Sequence, residues 1–105
     1  MANIRVKVSA GICGMETVIS ASCDDMQTVR IEATSGCPQV LRLAQSVAEV
    51  DAMEELFSGF GKGKVYDAAK VNIRHAACPV PSAFLKAIEA ASGMALKKDV
   101  HIIFD

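Results

Sequence analysis

The chain has 105 residues, 51% of them hydrophobic, with a formal net charge of −1. That balance excludes a disordered polar tail and lacks the basic excess of a nucleic-acid-binding surface. No apolar run approaches the ~20 residues of a membrane-spanning helix, and the alternating start lacks the apolar block of a secretory signal.

The expectation is one domain over residues 1–105, cytoplasmic, without nucleic acid or membrane as partner. In that compartment thiols are reduced, so the four cysteines are weighed first for metal binding or thiol chemistry. An unknown protein partner and a homo-oligomer both stay open.

Ile4, Val6 and Val8 alternate with Arg5, Lys7 and Ser9, the period of a half-buried strand. Gly11-Ile12-Cys13-Gly14 reads as a hairpin connection, its glycines supplying unusual backbone angles. A second strand is predicted over residues 16–21, Asp24-Asp25 as the next turn, and a third strand over 28–33. Val40, Leu41, Ala44, Val47 and Ala48 then recur at helical spacing. Asp51-Ala52-Met53-Glu54 resembles a capping box opening a short helix through Phe57.

Gly59-Phe60-Gly61-Lys62-Gly63-Lys64 reads as a loop. Its glycines and lysines suit an anion, but it lacks the spacing of a P-loop. Residues 66–71 fit a short helix. Phe84, Leu85, Ile88, Ala91 and Ala95 mark a final one ending near Gly93. Val100, Ile102 and Phe104 alternate as a closing strand. The order βββααααβ predicts an α+β two-layer sandwich: an antiparallel meander plus a C-terminal strand, with helices on one face.

The sharpest motif is Cys78-Pro79-Val80-Pro81, echoed by Cys37-Pro38. Proline at a helix start removes an N–H that lacks an intrahelical partner anyway, and holds the preceding residue extended. Each cysteine is thereby set beside unpaired N–H groups and the positive end of a helix dipole, which favours thiolate. The plainer reading makes each cysteine a small core residue next to a helix-starting proline.

A meander carries Cys13 and Cys37 to one end of the sheet and Cys23 to the other. It leaves the end reached by Cys78 open. Cys13, Cys37 and Cys78 are therefore the candidate ligands of a zinc ion or an iron–sulfur cluster. His75, three residues before Cys78, is a candidate fourth ligand or a base for the thiol if that stretch is helical.

Cys78-Pro79-Val80-Pro81, the helix after it and Lys98-Asp99-Val100-His101-Ile102-Ile103-Phe104 resemble the C-P-x-P element of TusA-type sulfur carriers. That resemblance implies a persulfide on Cys78 and a strand after the helix. Gly11-Ile12-Cys13-Gly14, Cys37-Pro38 and His75-Ala76-Ala77-Cys78-Pro79-Val80-Pro81 are similar to a small prokaryotic family of uncharacterised proteins, which implies relatedness and no assigned activity.

Three functional readings follow. The first is a metal or iron–sulfur site made by the three cysteines. The second is a persulfide carrier or thiol redox protein, with Cys78 as nucleophile and Cys37 or Cys13 as resolving thiol. The third is an interaction module in which the cysteines are structural. Whether the protein is an enzyme depends on which of them holds.

Overall fold

The computed structural model describes residues 2–105. In chain order the elements are β1 (Ala2–Ser9), β2 (Glu16–Cys23), β3 (Thr28–Ser35), α1 (Pro38–Ser46), β4 (Glu49–Asp51), α2 (Ala52–Phe57), α3 (Lys64–Asn72) and α4 (Val80–Ala91). The strands form one antiparallel sheet in the order β1-β2-β3-β4. Four strands and four helices make the expected α+β layout.

The period of two sorts each strand into an inner and an outer side. Ile4, Ile19, Ala21, Cys23, Val29 and Ile31 share the buried side, whereas Arg5, Lys7, Arg30 and Glu32 point to solvent. Helix α4 lays Phe84, Ala87, Ile88 and Ala91 into the core against β1 and β2, and α1 adds Val40, Leu43 and Ala44 beside β3. Phe84, Ile19, Leu43 and Ile88 are fully buried, and burial of a side chain of that size stabilises by about 1.5–3 kcal/mol.

Turn chemistry fixes the register. Gly11 and Gly14 have φ of 88° and 70°, and the Gly14 N–H donates to the Gly11 carbonyl at 2.9 Å. A residue with a Cβ rarely takes those angles. At the other end of the sheet, the Asp25 carboxylate accepts from the N–H groups of Thr28 (2.8 Å) and Gln27 (3.0 Å). Those bonds, Thr28 first, hold its carboxyl below the usual carboxylate range.

Several expectations need correction. Strands β2 and β3 each run two residues further than predicted, to Cys23 and Ser35. The buried stripe of α1 is Val40, Leu43, Ala44 and then Val47; Leu41 and Ala48 are exposed. Leu41 lies about 100° round the helix from Val40, off the inward face.

The fourth strand is β4, three residues long, with Val50 buried opposite Val29. Residues 96–105 carry no regular structure and are exposed, so no closing strand forms over 100–104. That tail has the period of a strand but meets no sheet edge within the chain. Helix α4 stops at Ala91 because Gly93, at φ 81°, turns the backbone, and the N–H groups of Met94 and Ala95 close on the Glu89 carbonyl.

Candidate cysteine site

The ladder places three cysteines relative to the sheet. Ser9 pairs with Glu16, and Thr17 pairs with Ser35, so the β1–β2 hairpin carrying Cys13 lies at the end where β3 delivers Cys37. The approach is close: a Cβ added to Gly36 would stand 3.1 Å from Met15 Sδ. Cys23 pairs with Val29 at the opposite end, is buried, and has its thiol 4.0 Å from an Asp25 carboxylate oxygen.

Two contacts fix the end reached by Cys78. The Arg74 N–H donates at 3.0 Å to the side-chain oxygen of Gln39, in the first turn of α1, which ties the segment before Cys78 to the start of that helix. At the far end of α4, a Cβ on Gly93 would lie 3.9 Å from Met26 Cε, in the β2–β3 turn. Helix α4 therefore begins at the Cys13–Cys37 end and finishes at the Cys23 end.

All four cysteines are free thiols. Cys37 and Cys78 are half-buried and pack against the core, while Cys13 is exposed at the hairpin tip. Cys37 is the N-cap residue of α1, with φ −99° and ψ 117°, followed by Pro38. Cys78 precedes Pro79, the N-cap of α4, and its own N–H donates to the His75 carbonyl at 3.1 Å. Neither helix start receives a side-chain cap. Both therefore keep first-turn N–H groups and the positive dipole end without a side-chain partner, beside a thiol.

His75 is placed differently from the helical expectation. Residues 73–79 are not helical, and His75 is exposed in a turn, so no helix sets its ring over Cys78. Ile73, extended at φ −101° and ψ 120°, ends α3 and redirects the chain before that histidine. Among the described residues, no three His, Cys, Asp or Glu side chains stand close enough together to hold a metal ion. The fold brings Cys13, Cys37 and Cys78 to one end without joining them into a coordination shell.

The glycine-rich loop holds an anion that belongs to the chain. The Glu55 carboxylate accepts from the N–H groups of Lys64 (2.7 Å) and Val65 (2.9 Å), closing the start of α3. Gly63, at φ 98°, admits this approach, since a Cβ there would lie 3.2–3.4 Å from the carboxylate. The sequence reading missed this role for Glu55. The signal was its spacing, because Ala52, Glu55 and Leu56 share one face of α2 and a carboxylate on a buried face needs donors. Asp51 caps α2 as the capping-box pattern predicts, accepting from the Glu54 N–H at 3.1 Å. The Gln27 side-chain amide, and then that N–H, hold its carboxyl below the usual range.

Residues 4–104 match DUF6951, a family of unknown function. The chain belongs to this family. Within DUF6951 the match spans all four helices, β2 to β4, β1 from Ile4 onward, and all four cysteines. No curated protein and no solved structure matches the chain. No helix among the described residues is long and apolar enough to cross a membrane.

Proposed function

We propose that this protein is a cytoplasmic thiolate-ligand protein whose Cys13, Cys37 and Cys78 bind a zinc ion or an iron–sulfur cluster at one end of the sheet. One observation carries the reading. Three free thiols occupy the same end, two of them beside helix starts that lack a side-chain cap, while Cys23 is buried at the other.

The donor chemistry fits a thiophilic metal. Cysteine thiolates suit zinc and iron–sulfur clusters, and N–H groups near the sulfurs offset the charge that such ligands gather. The two half-buried thiols form the fixed part of the site. The exposed Cys13 tip, with Gly11 and Gly14 on either side, supplies the arm that closes on them. A fourth position falls to His75, a sulfide or water.

Anaerobic purification followed by metal and acid-labile sulfide analysis tests this. Zinc, or iron with sulfide, in stoichiometric amount and lost when Cys37 or Cys78 becomes serine is the expected result. Metal-free protein that stays empty on reconstitution would overturn it.

A second reading is favoured by one specific observation, the absence of a closed three-residue ligand group among the described residues. In it Cys78 is a sulfur carrier. Its thiolate attacks the outer sulfur of a donor persulfide, the new S–S bond forms on Cys78, and the donor leaves as thiolate. Intact-mass measurement after exposure to a persulfide donor reads this directly, as one added sulfur that Cys78→Ser abolishes.

A further inference from the structure

Among the described residues, an open sheet edge and an exposed tail both stand without a partner strand. Strand β1 pairs with β2 alone, so alternate residues along its eight-residue length turn unpaired backbone groups to the free edge. Such an edge is a template for another strand. Its inner side is also incompletely covered. Ile4 is buried, yet Val6 and Val8, on the same face as Ile19 and Thr17, are only half-buried.

The tail has what that edge lacks. Val100, Ile102 and Phe104 alternate with Asp99, His101 and Ile103, and the three are 62%, 80% and 97% exposed. Among the described residues, no backbone hydrogen bond involves residues 96–105. A strand of this pattern beside β1 would turn its three apolar side chains toward Val6 and Val8.

We infer that residues 100–104 of each chain add as a fifth strand to the free β1 edge of a second copy, giving a dimer by mutual exchange of tails.

Charge disfavours the direct pairing of two β1 edges. The solvent side of β1 carries Arg5 and Lys7, both exposed. Two β1 edges meeting directly would bring these cations together, which is the device that keeps open edges apart. On that side residues 100–104 bear His101 and Ile103, so a tail strand brings no row of like charges against Arg5 and Lys7.

Direction selects the second copy over the chain's own edge. Helix α4 ends beside Met26, at the end of the sheet where β1 begins. A tail laid onto its own β1 directly from the end of α4 would run parallel to it. The tail of another copy is free to run antiparallel, the stronger pairing. In the single chain the tail stays off its own edge.

The test is the mass of the full chain in solution, by sedimentation equilibrium with reductant and chelator present, so that the cysteine site plays no part. Twice the chain mass is expected. The double variant Ile102→Lys/Phe104→Lys changes side chains that are 80% and 97% exposed in the single chain, so it should fold normally and fall to the mass of one chain. Amide exchange at β1 should then quicken at least tenfold. A wild-type monomer overturns the inference, as does a dimer that persists in the double variant. In a dimer of differently labelled copies, tail-to-β1 contacts within one copy alone would overturn it as well.

Discussion

The helices of this fold begin in two chemically different ways. α2 and α3 are closed by carboxylates: Asp51 accepts from Glu54, and Glu55 accepts from Lys64 and Val65. α1 and α4 begin beside Cys37 and Cys78, and no side chain caps them. The first pair of N-termini is satisfied by the fold itself. The second keeps its dipole ends for whatever the sulfurs carry. The contrast separates groups that hold the fold together from groups left available for chemistry.

If that division is right, the largest loss of stability comes from Glu55. Glu55→Ala strips the acceptor from two N–H groups, one of them on the fully buried Val65. Two unpaired N–H groups at that site cost about 3 kcal/mol, read as a lower urea midpoint with unchanged metal content. Glu55→Gln keeps one acceptor oxygen and should recover part of the loss. A neutral Glu55→Ala would erase the structural half of the comparison.

The cysteines should divide along the same line. Cys23→Ser places a hydroxyl in a core position that is 1% exposed and should cost about 1–2 kcal/mol, with metal content intact. Cys13→Ser, at the exposed hairpin tip, should leave metal-free stability unchanged. Alkylation of the metal-free protein should follow exposure: Cys13 first, then Cys37 and Cys78, with Cys23 reacting only on unfolding. Early modification of Cys23 would contradict its placement.

The smallest expected effect is a pH dependence at the carboxylate end. Asp25 and Asp51 both have folded-state values below the ordinary 3.8. Their contribution is present above the unfolded value and is lost as pH falls through the folded one. Asp25→Asn and Asp51→Asn should therefore be destabilising at neutral pH. That difference from the wild type should shrink below about pH 4, as the native carboxylates protonate. Urea midpoints at the two pH values measure it.

Strand periods and turn residues made most of the fold legible in the sequence. Ile4, Val6 and Val8 announced β1, and glycines at 11 and 14 marked a hairpin that the sheet contains. β4 was hidden because three residues carry too little period, and its identity depends on Val29 lying opposite Val50. The tail misled for the reverse reason: its alternation is real, but no edge within the chain meets it. The separation of Cys23 from Cys13 and Cys37 followed from meander geometry alone. The end reached by Cys78 did not, since it depends on the bond from Arg74 to Gln39, a contact between residues 35 apart. The role of Glu55 was hidden because its donors, Lys64 and Val65, lie beyond the glycine loop.

The central claim is that three thiols at one end of the sheet act together and the fourth stands apart. Cobalt(II) titration of the anaerobic, reduced protein tests this most directly, because thiolate-to-cobalt charge transfer reports sulfur ligands as they bind. The account predicts saturable binding of a single ion in the wild type and in Cys23→Ser. It predicts loss of the charge-transfer band in Cys37→Ser and Cys78→Ser, and its weakening in Cys13→Ser. Binding that survives serine at positions 13, 37 and 78 together, or that disappears in a folded Cys23→Ser protein, would contradict it.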